Sequence, residues 1–208
     1  MANAGGGGLP DIYQAVEYLE SSGAQYIDTQ YVPTVNNLRI VTRLNVLQKR
    51  TNDDRFFGSQ NGSNCAIVPW YWSGNGTPPL GVVAVGTSYY LGRYSTSYNT
   101  IYDIDVTADN GTITGDYCGY TLSASYTGTV GNNLSIYIFG NNTGGAIGSS
   151  ISISRFYKFE IYSGGKQKFN GMPCYRKSDN KPGMYDLVTR TFLTNAGSGE
   201  FTVGNDVL

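Results

Sequence analysis

Apolar residues in this chain recur at every second position, not at every third or fourth. In "LRIVTRLNVL", Leu38, Ile40, Leu44 and Val46 fall on one face, while Arg39, Arg43 and Asn45 fall on the other. "TIYDIDVT" sends Tyr102, Ile104 and Val106 one way and Asp103 and Asp105 the other. "LSIYIFG" reads similarly, and a further run places Ile151, Ile153, Tyr157, Phe159 and Ile161 on one side. Side chains alternate across a strand, so this pattern marks half-buried antiparallel strands, apolar inward and polar outward. The one stretch with a helical look, "DIYQAVEYLE", is expected to be largely strand as well.

Turn signals punctuate the strands: Asp109-Asn110-Gly111, Gly131-Asn132-Asn133, Gly140-Asn141-Asn142 and Ser163-Gly164-Gly165. These residues tolerate positive φ and let a hairpin reverse. With 28 Gly, 18 Tyr and only 14% charged residues, the composition suits strands and tight turns over long helices. A chain of 208 residues buries enough surface to fold as one large β domain without a disulfide or metal staple. Four successive glycines, Gly5, Gly6, Gly7 and Gly8, cost too much entropy to order alone. Residues 1–10 are therefore expected to form a flexible assembly arm, and residues 11–208 a single domain.

Several function classes are excluded at this level. Net charge is −1 and no run of Lys or Arg exceeds two, so the basic stripe that nucleic acid requires is missing. No apolar stretch reaches membrane-spanning length. Cys65, Cys118 and Cys174 are three widely spaced cysteines with no C-x-x-C pair, and the chain has no His. They read as small buried hydrophobes and not as metal ligands or a disulfide framework.

Two constellations carry binding chemistry. A sugar needs an aromatic face for its C–H side and amides or carboxylates for its hydroxyls. "VPWYWSGNGTPP" supplies Trp70, Tyr71 and Trp72 beside Asn75, with Trp70 and Trp72 on one face of an extended segment and Tyr71 on the other, and core packing of one of these faces competes with binding. Tyr94 belongs to a second aromatic group with Tyr89, Tyr90 and Tyr98, for which core packing competes with binding. Asp103 and Asp105 are the second constellation, about 7 Å apart on one strand face. They read as a solvated outer face or as half of a calcium site whose shell backbone carbonyls complete, with Asp53 and Asp54 as further donors. A glycosidase would need a Glu-x-Asp-x-x-Glu type spacing, which a chain with four Glu does not show.

"MPCYRKSDNKPGMYDLVT" (172–189) has the residue density of an active site. Yet Cys174 has only Arg176 and Lys177 near it to stabilise a thiolate. Ser178 to Gly183 read as a turn, and Tyr185, Leu187 and Thr189 alternate as a strand would. Architecture is the expected role, and no catalytic residue is assigned.

"VEYLESSGAQYIDTQYVPT" (16–34) and "FYKFEIYSGGKQKFNGMPCYRKSDNKPGMYDLVTRTFLTNAGSGEF" (156–201) resemble the two ends of a concanavalin A-like, laminin-G-like jelly-roll module. Such modules are common in structural proteins of tailed bacteriophages and in surface proteins of gut bacteria. The chain departs from the pattern at Gln30, where glycine is preferred, and at Val188–Thr191, which lacks the usual turn glycine. The resemblance implies an all-β jelly-roll sandwich of two antiparallel sheets with the chain ends on adjacent strands. The fold alone supplies no ligand.

The expected function is a non-enzymatic virion component: a capsid decoration, head-fibre or tail-associated protein. Its partners would be other virion proteins and surface glycans, with a homotrimer expected by analogy only. A chain beginning at Met1 without a secretory signal would be made in the host cytoplasm and released by lysis. A stand-alone carbohydrate-binding module or bacterial surface adhesin is the alternative.

Overall fold

A computed structural model describes residues 8–34, 36–71, 79–91, 96–148 and 151–207, with backbone alone for 89–91. The described residues form strands and no helix. The larger sheet runs β11 (Tyr120–Ser125), β10 (Thr112–Tyr117), β9 (Ile101–Asp109), β4 (Asn37–Gln48), β15 (Ile153–Ser163), β16 (Lys166–Arg176), β17 (Lys181–Asp186), β18 (Thr191–Thr194). Where β15 and β16 diverge, β1 (Tyr13–Ala15) pairs with β16 and β2 (Leu19–Ser22) pairs with β15. β19 (Thr202–Val203) pairs with β2. The chain ends thus meet on adjacent strands, and "DIYQAVEYLE" is mostly strand, as the sequence predicts.

The smaller sheet runs β14 (Ala146–Ile147), β13 (Asn142–Thr143), β5 (Phe57–Asn61), β6 (Asn64–Trp70), β7 (Val82–Gly86), β8 (Ser88–Leu91). β12 (Tyr137–Ile138) joins it between β5 and β3 (Ile27–Asp28). The β13–β5 pair is parallel, so this sheet is mixed and not purely antiparallel.

Alternation explains how the sheets face each other. On β4, Leu38, Ile40, Thr42 and Leu44 are fully buried, while Arg39 and Arg43 point outward. β9 repeats this with Ile104, Val106 and Ala108 inward. Across the gap, Phe57 of the smaller sheet packs edge-on against Phe159, 5.1 Å between centroids, and against Phe156 at 6.4 Å. Phe139 extends this cluster to Phe156 and Phe201 at 4.7 and 4.9 Å. Each fully buried Phe contributes about 2–3 kcal/mol of transfer free energy.

Two strand readings need correction. A bulge in β15 between Phe156 and Lys158 leaves Tyr157 without a partner on β4. The phase therefore flips: Ser154, Phe156, Phe159 and Ile161 point inward, while Ile153 and Tyr157 are only half-buried. Such a bulge leaves backbone groups outside the ladder. Here the buried Thr42 hydroxyl donates to the Lys158 carbonyl at 2.8 Å. The second correction is "LSIYIFG", where Ile136, Ile138 and Phe139 are buried together with Tyr137 and no polar face exists.

The two-residue hairpins follow glycine. Asn110-Gly111 and Gly164-Gly165 have positive φ at both central positions, the type I′ geometry that matches strand twist. Gly140-Asn141-Asn142 is not the reversal it resembles: Asn142 opens β13, and the turn lies at Gly144-Gly145. Gly131-Asn132-Asn133 is a crossing loop held by its side chains. Ser59 Oγ donates to Asn132 Oδ1 at 3.1 Å, and Asn132 Nδ2 donates to the Asn64 carbonyl at 3.3 Å.

Candidate functional site

The dense stretch at 172–189 is a strand, a turn, a strand and a second turn. Asp186 ends β17 with its carboxylate buried, accepting from the Asn170, Val188 and Thr189 amides at 2.8, 3.0 and 3.2 Å. The Thr189 hydroxyl adds a fourth bond at 2.6 Å. Leu187 to Arg190 are therefore turn and not strand, because Asp186 gathers the amides a ladder would need. Arg176 and Asp179 make a two-point pair at 3.1 and 2.7 Å across the preceding turn. The Cys174 side chain is fully buried, and burial pushes its thiol up to about 12. No nucleophile emerges here.

Burial likewise raises Cys65, to about 11, and raises Cys118 strongly. All three cysteines are unpaired and buried, as the sequence reading expects.

The aromatic segment divides between two environments. Trp70 is 8% exposed and packs with Cys65, Val68, Val82 and Ala84 on the face of the smaller sheet away from the main core. The Arg55 guanidinium lies over its ring at 4.9 Å, so that face is covered. Trp70 is thus a packing residue and not an open sugar platform. Tyr71 turns the other way, half-buried against the main core beneath Lys49 Nζ at 5.0 Å. Tyr98 is also packed against the core, and burial raises its phenol. Trp72, Asn75 and Tyr94 lie outside the described residues. So do Gly5, Gly6 and Gly7, while Gly8 adjoins the first described segment.

Of the proposed calcium donors, Asp105, Asp54 and Asp53 already have partners in the protein. Both Asp105 oxygens accept from Arg39, Nε and Nη2 each at 2.7 Å. The Arg39 hydrogen bonds hold the Asp105 carboxyl below the usual range. A cation there would compete with a guanidinium already in place. Asp54 is buried and caps a turn through the Arg50 and Thr51 amides at 2.7 and 2.8 Å, while Asp53 faces Arg55 at 3.4 Å. Among the described residues no group of three or more acidic or thiol side chains gathers.

Asp103 behaves differently from Asp105. It lies on the same outward face of β9, opposite Arg43, but at 3.8 Å and with most of its side chain in solvent. This region opens into a cleft bordered by Glu17, Arg43, Ile101, Asp103, Tyr157 and Lys158. Sequence reading missed it because the bulge that turns Tyr157 outward leaves no mark in the apolar pattern. Beside the cleft, Tyr18 meets Tyr157 edge-on at 5.4 Å, and the Arg155 guanidinium covers Tyr18 at 4.5 Å. Arg155 also pairs with Glu20 at 2.6 Å, which fixes this wall.

No family model matches the chain, and no curated protein matches it significantly.

Proposed function

We propose that this protein is a non-enzymatic component of a bacteriophage particle, a capsid decoration, head-fibre or tail-associated protein, built on a lectin-like jelly-roll sandwich. The observation that carries this reading is the joining of the two stretches that resemble phage jelly-roll modules. Leu19 pairs with Phe156, the Val16 amide donates to the Pro173 carbonyl at 3.0 Å, and the Ala196 and Ser198 amides donate to the Tyr26 and Ala24 carbonyls at 2.9 and 3.0 Å. Residues from opposite ends of the sequence thus make one continuous piece of sheet, as a module of that kind requires.

Gln14 and Ala15 also lie beside Val207. The Val207 amide donates to the Ala15 carbonyl at 2.9 Å, and Gln14 Nε2 donates to the Val207 carbonyl at 3.0 Å. A glycine arm next to this point would tether the sandwich at one place and leave the distant turns and outer faces for contacts. The side chains that read as chemical candidates support attachment over catalysis: Asp105, Asp186 and Cys174 are spent on pairing, turn capping and packing.

Mass spectrometry of density-purified particles tests the reading. The protein should co-purify at a fixed ratio to the major capsid or tail proteins, and its absence from particles would remove the proposal.

A further inference from the structure

Beyond particle attachment, we infer that the outer face of the larger sheet binds the same face of a second copy of this chain, in a two-fold dimer centred on Arg43 and Asp103. The contact lies where β9, β4 and β15 run side by side.

The charges on this face are sorted by strand. Asp103 and Asp105 project from β9, and the exposed Asp116 of β10 stands directly opposite Asp105. Arg39 and Arg43 project from β4, and Lys158 of β15 is in register with Arg43. An acidic half therefore lies beside a basic half, with the boundary between β9 and β4. Glu160 and Glu17 are the exceptions on the basic side, and both are engaged within the protein. Glu160 accepts from the Tyr162 hydroxyl at 2.6 Å, and Glu17 from Asn205 Nδ2 at 3.2 Å. Like charges directly opposite on neighbouring strands, as Asp105 and Asp116 are, cost stability. A basic surface laid over the acidic half offsets that cost.

A face divided in this way is complementary to itself under one operation. A two-fold axis running along the strands, between β9 and β4, exchanges the halves and keeps the level along the strands. Arg43 and Asp103 are in register, at one level. The axis therefore sets each Asp103 over the Arg43 of the other copy and closes a ring of two carboxylates and two guanidiniums. Such an isologous contact uses one patch on both partners. A partner of a single charge sign would meet its own sign on one half, whereas a second copy brings the halves already reversed.

Arg43 and Asp103 remain available for this ring. Their side chains are 51% and 64% exposed and stand 3.8 Å apart, beyond hydrogen-bond contact. The neighbouring Arg39–Asp105 pair on the same two strands is closed at 2.7 Å, so strand geometry does not impose the open pair.

Apolar surface flanks the ring. Ile101, 44% exposed, lies two residues along β9 from Asp103. Tyr157 is turned outward by the β15 bulge, beside the Phe156 and Lys158 that pair with Leu44 and Arg43. Ile101 and Tyr157 thus stand on opposite sides of the axis at nearly the same level, and the operation brings Ile101 of one copy against Tyr157 of the other. Tyr18, edge-on at 5.4 Å and covered by Arg155, holds the Tyr157 ring from the side, so little entropy is lost on contact.

Sedimentation equilibrium on the isolated protein tests the contact. A dimer is expected at low ionic strength, with a dissociation constant that rises at least about tenfold between about 50 mM and about 500 mM salt. Arg43→Asp and Asp103→Arg should each weaken it at least about a hundredfold, because each fills the ring with like charges. Mixed together, these two variants should associate one to one, and the chain carrying both substitutions should dimerise by itself. Ile101→Asn should weaken the dimer at least about tenfold with the ring intact. Circular dichroism checks that each variant is folded, and where a reversal is not, Arg43→Gln or Asp103→Asn replaces it with the same loss of dimer expected. A monomer at high micromolar concentration, a dimer or trimer indifferent to the reversals, or two reversed variants that fail to associate when mixed would overturn the contact. The readout needs no particle, so failure of the dimer and failure of the virion reading are seen separately.

Discussion

Arg39 and Asp105 meet in a two-point ion pair across β4 and β9, diagonally placed because Arg39 is in register with Thr107 and Asp105 with Val41. Diagonal pairs of this kind bind strands on a solvated face. Both side chains are more than two-fifths exposed, so the contribution is about 1 kcal/mol at most once solvent screening is allowed for. The Asp105 carboxyl titrates below its ordinary value in the folded state. Its contribution is therefore present above the unfolded pKa of about 4 and is lost as pH falls through the lower folded value. Asp105→Asn should melt slightly below the parent at pH 7, with the gap closing in acid. EDTA should leave both melting curves unchanged, and a chelator-dependent shift would restore the calcium reading.

Asp186 carries far more. Its buried carboxylate accepts from three amides and a hydroxyl. Asp186→Ala should cost about 3 kcal/mol in urea unfolding, since several buried donors lose their acceptor at once. Asp186→Asn keeps one acceptor oxygen and should fall between. Asp179→Ala, at an exposed turn, should unfold close to the parent.

The contrast shows what is readable from residues alone. The outward and inward faces of β4 and β9 follow from alternation, because a strand has one simple period and the core needs one side of it. The hairpins at Asn110-Gly111 and Gly164-Gly165 follow from residues that accept positive φ. Tyr157 could not be placed that way. A bulge is a decision between two strands, and the Thr42 hydroxyl that takes up the Lys158 carbonyl lies 116 residues away. Trp70 was ambiguous for a related reason, since β6 and β7 are buried on both faces and carry no polar side to orient them. The cleft was illegible until the bulge, Glu17 and the β4–β9 register were known together.

The cysteines make a cheap check on the core. Cys65, Cys118 and Cys174 are buried, and burial raises every one of their thiols. A thiol reagent such as Ellman's should label none of them in the native protein at pH 8 and all three in denaturant. Rapid labelling of any one under native conditions would mean that the local packing opens. Labelling should follow the unfolding curve, not the pH.

The two departures from the jelly-roll pattern fall where the backbone asks for glycine. Gln30 has φ 60° and Arg190 has φ 58°, both in the left-handed region. A non-glycine residue there costs about 1–2 kcal/mol, of which about 0.5–1 is returned because it restricts the unfolded chain. Gln30→Gly and Arg190→Gly should therefore each stabilise by a few tenths to about 1 kcal/mol. The sites lie in different turns, so the double variant should show the sum. At Arg190 the gain should be cleaner, because Asp186 already fixes the rest of that turn through the Val188 and Thr189 amides. At Gln30 the Asp28 carboxylate accepts the residue's own amide at 2.8 Å, and glycine keeps that bond. Urea midpoints of the two single variants decide the matter: a fall in either would mean that the side chain, and not the backbone, sets the turn.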